Sequence, residues 1–148
     1  MTPPNIPFIY RLWHLYLEPI AAIGGTIRLI AAPATYFDFM PATAAYSPTS
    51  HIVYNQLAAT YLLFAFNQAV VLRVARDLQV WKALILGMLL CDAVHIYANW
   101  AEMGTQLMLN PWLWRGGDVV TMSLNVGPFL LRAAFLAEAG FGGRRKTA

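Results

Sequence analysis

A chain of 148 residues has room for one domain and not for two ordinary ones. Hydrophobic residues make up 59% and charged residues 11%, where an average soluble domain is roughly a quarter charged; with a mean hydropathy of +0.52 this places the chain in the membrane class. The net charge of +3 comes from a few clusters with no Lys/Arg run interleaved with aromatics, which argues against a nucleic-acid partner, and the single cysteine, Cys91, excludes an internal disulfide framework and a Cys-based metal cage.

The first twenty residues lack the charged start and small-residue cleavage site of a signal peptide, so they read as the approach to a first span over 8–32. That span carries Arg11, His14 and Glu18 at spacings of three and four, on one helix face. Pro19 predicts a kink that frees a carbonyl in the preceding turn. Gly24 and Gly25 thin the helix for a close neighbour. The loop that follows holds Pro33, Pro41 and Pro48, no Lys or Arg, and the aromatics Tyr36, Phe37 and Phe39, which suit an interfacial belt. Its length allows a lid, although an ordinary interfacial loop is the commoner outcome.

A second span is expected over 51–72, with Gln56, Thr60 and Asn67 on its polar side. The short connection with Arg73, Arg76, Asp77 and Lys82 makes spans two and three an antiparallel pair. Span three, 83–103, carries Asp92, His95, Asn99 and Glu102 along one side. Asn110-Pro111, Trp112 and Trp114 read as an interfacial turn. Span four, 118–139, aligns Asp118, Thr121, Asn125, Pro128 and Arg132 on one face. The expected fold is therefore all-α, an integral membrane four-helix bundle, up-down-up-down, in a single domain. Basic residues at Arg11, in the 73–82 connection and at Arg144–Lys146 put both termini in the cytoplasm by the positive-inside rule.

At 1.5 Å per residue, Glu18 and Asp92 each lie about 15 Å from the same membrane face. Glu18, Asp92 and His95 would then form a midplane layer, with Asn99, Asp118, Asn125 and Gln56 lining the way to the other face. An ionisable group in hydrocarbon is costly and normally faces other helices or a wet cavity. Such a cluster suits proton transfer: Asp92 and Glu18 divide the acid and base roles, His95 relays for Asp92, and Asp118, Asn99, Asn125 and Gln56 position water or a substrate oxygen. Each residue also has a structural explanation. Asp92 and His95 can bond two helices together, Glu18 can satisfy a neighbouring donor, His14 can pack at the interface, Asp118 can cap its helix, and Asn125 can satisfy backbone freed by Pro128. The three histidines lie on different spans and give little support to a metal site.

The segments LEPIAAIGG, YNQLAATYLLFAFNQAVVLR with RDLQVWKAL, CDAVHIYANW and WRGGDVVTMSLNVGPFLLR together cover most of the chain from Arg11 to Arg132. They resemble a family of small fungal membrane proteins with four predicted spans, named as a domain of unknown function and found beside secondary-metabolite genes. The resemblance implies a fungal source, the endoplasmic reticulum and a lipophilic intermediate as substrate; it supplies no reaction and no catalytic residue. A looser likeness to fungal membrane-bound terpene cyclases, which use carboxylates in a helical bundle to protonate an epoxide, is analogy only. The expected function is a membrane enzyme that opens or cyclises an epoxide, or isomerises a polyketide or terpenoid, with no cofactor. The expected partners are that lipophilic substrate, membrane lipids and a possible second copy of the chain. The alternative is a non-catalytic lipid- or sterol-binding or scaffolding protein. A channel is a weaker third reading, because the cytoplasmic half has few polar groups beyond Asn67, Gln68 and Arg132.

Overall fold

The computed structural model describes residues 5–141, and the basic tail at 144–146 lies outside them. Among the described residues the regular structure is all helical. Four long helices carry the fold: α1 (8–31), α2 (51–74), α3 (Leu78–Met108) and α4 (Gly116–Leu136). Three stretches, Pro48–Val74, Leu78–Met108 and Gly116–Leu136, are long and apolar enough to cross a membrane. The α1 helix, interrupted by Arg11, Glu18 and Arg28, is not among them.

Local chemistry accounts for the irregularities. Pro19 has no N–H to offer the Leu15 carbonyl one turn earlier. The helix responds by widening into a π-turn over Trp13–Leu17 rather than breaking, and Arg73 Nη2 donates to the freed Leu15 carbonyl at 3.2 Å. A second π-turn, Asn67–Val71, sits in α2 directly against the first. The α3 helix begins four residues before Lys82, because Asp77 Oδ1 accepts from the Gln79 N–H at 2.8 Å and so caps it. Gly104, at φ +76° and ψ 157°, ends its straight part with a kink that only glycine adopts readily. At the start of α4 the Asp118 side chain reaches back to the backbone N–H of Arg115 at 2.9 Å, as the third residue of a capping box.

The α1 and α2 helices pack lengthwise, as do α3 and α4. One apolar core, containing Ile6, Tyr10, Leu72, Trp81, Ile85 and Phe135, draws on all four helices at the end where α1 begins. Tyr10 meets Phe135 edge-on at 5.2 Å between centroids and donates to the Ala139 carbonyl. A second core, around Leu29, Tyr54 and Ala58, closes the opposite end of α1 and α2. The segment between α1 and α2 folds over it as a strap. Phe37 packs on Tyr54 at 5.4 Å, and Tyr36 and Tyr61 share a 2.6 Å hydroxyl–hydroxyl bond. The strap then reaches α4, where the Thr121 hydroxyl donates to the Phe39 carbonyl and Arg115 Nη2 donates to the Met40 carbonyl at 2.6 Å. Large apolar side chains such as Ile20, Ile27, Leu63, Leu90, Val94 and Leu130 point outward, each more than half exposed. An exterior with this many exposed apolar side chains suits lipid rather than water.

Candidate functional site

The two π-turns place His14 and Gln68 side by side, both fully buried, and both address the same carboxylate. His14 Nδ1 donates to Glu18 Oε2 at 3.2 Å across one helical turn, and Gln68 Nε2 donates to the same oxygen at 2.6 Å. The other oxygen of Glu18 accepts from Arg132 Nη2. Arg132 Nη1 in turn donates to Asp92 Oδ2. One guanidinium from α4 thus joins a carboxylate on α1 to a carboxylate on α3, and Gln68 ties α2 into the same network. Met88 supplies the apolar side, with its sulfur 3.2 Å from Gln68 Nε2 and 3.9 Å from Arg132 Nη2.

Arg132 has no exposed surface, whereas the Glu18 and Asp92 side chains are 17% and 12% exposed. The cation is enclosed and the two anions reach the edge of the interior. His14 Nε2, Gln68 Oε1 and Arg132 Nε are buried with no hydrogen-bond partner among the described residues. Polar atoms of this kind normally find a partner, so the network keeps hydrogen-bonding capacity beyond its internal bonds.

Of the residues expected to gather, Glu18 and Asp92 meet through Arg132, and the remainder make no hydrogen bond to either carboxylate. His95 makes no hydrogen bond to Asp92; its Nδ1 donates to the Cys91 carbonyl at 2.9 Å in its own helix. Asn99 is buried and donates to the His95 carbonyl at 2.8 Å. Asn125 donates to the Thr121 carbonyl at 2.9 Å, also within its helix. Asp118 is taken up by Arg115, whose Nη2 lies 2.8 Å from its Oδ1. Gln56 and Glu102 are exposed. Among the described residues no three His, Cys, Asp or Glu side chains come together as a metal site.

Sequence reasoning missed three members of the network, Arg132, His14 and Gln68. Arg132 stands four residues before the end of α4, about 6 Å along the axis, where an arginine ordinarily reaches out to the interface. Side chains on a helix lean toward its N-terminus, which for Arg132 is away from that interface and into the bundle. The usable signal was therefore the direction of the helix, not the distance from its end. For His14 and Gln68 the signal lay in helix defects, and of these only Pro19 was visible in the sequence.

The fold and the network define an all-helical protein with membrane-crossing capacity and an internal charge cluster fed by all four long helices. The chain belongs to the family described as a domain of unknown function (DUF7704), which matches residues 4–143. No curated protein and no solved structure matches it.

Proposed function

We propose that this protein is a small integral membrane enzyme of fungal secondary metabolism, working without a cofactor on a lipophilic polyketide or terpenoid. In this reading all four long helices span the endoplasmic reticulum membrane, up-down-up-down, with both termini cytoplasmic. Epoxide opening, by water or by an internal oxygen with ring closure, is the leading reaction, and isomerisation is next. The observation that carries the proposal is the joining of Glu18, Asp92, His14 and Arg132 inside an otherwise apolar interior. Charge at that depth is costly enough to need a reason.

The geometry suggests a division of labour. Glu18 holds His14 through Nδ1, leaving Nε2 to exchange a proton with the substrate. Arg132 stabilises negative charge as it develops on the oxygen of an opening epoxide. Asp92, on the far side of the guanidinium, accepts a proton from the attacking water or alcohol. One carbon–oxygen bond breaks and another forms. The nucleophile's proton goes to Asp92, and protonated His14 supplies one to the alkoxide. In this scheme His95, Asp118, Asn99, Asn125 and Gln56 take no part in the proton transfers.

The test is a metabolite profile of a deletion strain complemented with wild type, Asp92→Asn or His14→Phe, each checked for a monodisperse detergent extract. The proposal expects the two variants to accumulate the same unconverted intermediate as the deletion. Product at wild-type level from either variant removes that residue from the chemistry. A second reading, a non-catalytic lipid- or sterol-binding or scaffolding protein, draws on a specific observation: Arg132 contacts both carboxylates, so the three charges satisfy one another without any ligand. Its mark is a loss of thermal stability in Asp92→Asn with the product profile unchanged.

A further inference from the structure

We propose that the outer face at the start of α1, together with Arg73 of α2, is a binding site for one anionic phospholipid. The proposal rests on the membrane reading and is independent of any catalysis. A groove of about 160 Å³ is lined by Phe8, Arg11, Leu12, Leu15 and Tyr16. These positions recur at helical spacing and form one stripe of α1, apolar except for the Arg11 guanidinium and the Tyr16 hydroxyl.

Arg73 lies beside this stripe and is held in place. Its Nη2 donates to the Leu15 carbonyl that Pro19 leaves free, and its guanidinium carbon sits 4.9 Å over the Tyr16 ring. One N–H is used by that bond; the others remain for an anion. A guanidinium already fixed by backbone and ring loses little freedom on binding, and its planar fork matches the oxygens of a lipid phosphate with no cationic headgroup attached. Arg11 is exposed one turn nearer the helix end, and neither it nor Arg73 pairs with a carboxylate among the described residues. Arg11 is three residues after Phe8, and Arg73 immediately precedes Val74, the last residue of α2. Both therefore stand within about 5 Å of a helix end, at headgroup level for a helix that spans. The phosphate takes Arg11 and Arg73, and an acyl chain runs along Phe8, Leu12 and Leu15.

The test uses delipidated full-length protein in neutral detergent, titrated with phosphatidic acid or phosphatidylcholine of the same chain length. Bound lipid is read by native mass spectrometry. Phosphatidic acid is expected to bind more tightly than phosphatidylcholine, and Arg11→Gln and Arg73→Gln each to weaken it about fivefold. Arg76→Gln, whose residue is exposed on the same connection and does not line the groove, should leave binding unchanged. The Arg11 side chain makes no hydrogen bond or ion pair to other described residues, so its variant reports on the site even if Arg73→Gln loosens the helix pair. Equal binding of the two lipids overturns the proposal. So does an Arg76→Gln effect as large as that of Arg73→Gln, or displacement of the lipid by millimolar inorganic phosphate. Failure of wild type to float with phosphatidylcholine vesicles strikes the membrane reading instead.

Discussion

Arg132 and Glu18 stand 114 positions apart in the chain and meet as a buried ion pair between α4 and α1. The same guanidinium also holds Asp92 of α3, so one side chain determines how three helices sit against one another. Neither carboxylate touches the other; each sees the cation first. This is the relationship on which both the packing and the proposed chemistry turn.

Removing the cation alone should be severe. Arg132→Met leaves two carboxylates facing an apolar interior with their partner gone, a change that typically costs about 3–5 kcal/mol. The combination Glu18→Gln, Asp92→Asn and Arg132→Met removes every charge together and should recover most of that loss. Thermal unfolding in detergent, followed by circular dichroism, measures both. A single variant as stable as wild type would mean that the pair does not hold the helices.

Gly25 and Gly24 are adjacent but should respond in opposite ways. A Cβ at Gly25 would lie 2.8 Å from the ring of Tyr61, whereas a Cβ at Gly24 meets nothing within 4 Å. Gly25→Ala should therefore force α1 and α2 apart and cost about 1–3 kcal/mol. Gly24→Ala should be neutral or slightly stabilising, because alanine is the better helix former. Equal melting temperatures for the two variants would contradict the close approach of α1 to α2.

The strap gives a pH signature. Burial first, and the neighbouring Tyr61 hydroxyl second, push the Tyr36 phenol above its ordinary value of 10.0. The folded state thus prefers the protonated phenol. This contribution to stability is complete below pH 10 and is lost as pH rises from there toward the folded-state value. Tyr36→Phe should flatten the alkaline fall in melting temperature and, at neutral pH, cost about 1 kcal/mol for the lost hydroxyl bond. An alkaline slope as steep as that of wild type would place the titration elsewhere.

Much of the architecture was legible in the chain. Apolar runs of span length marked three of the four long helices, and Pro19 marked a freed carbonyl that proves to be that of Leu15. Gly24-Gly25 signalled a close neighbour, although only the second glycine has one. Depth counted along the helices brought Glu18 and Asp92 to one level, and they do share a partner. The partner itself was harder to see: the sequence puts Arg132 on the polar face of span four but in the cytoplasmic half, and the lean of its side chain toward the helix N-terminus carries it deeper into the bundle. His95 is a related case. It shares a helix face with Asp92, but a ring nitrogen can be satisfied by a carbonyl one turn back in its own helix, and Cys91 provides one. Asn99 and Asn125 follow the same pattern, each bonded to the carbonyl four residues earlier. A polar stripe on a helix therefore does not by itself say which of its members face a neighbouring helix.

The account's central claim is that the charges gathered by Arg132 do chemistry as well as hold helices. The most direct measurement is the metabolite profile of a strain whose only copy carries Glu18→Gln, Asp92→Asn and Arg132→Met together, with the thermal stability of the purified protein in parallel. The account predicts near-native stability and complete loss of the product, with the substrate accumulating as in the deletion. A stable triple variant that still yields product at wild-type level would contradict it and leave the network as a structural clamp alone.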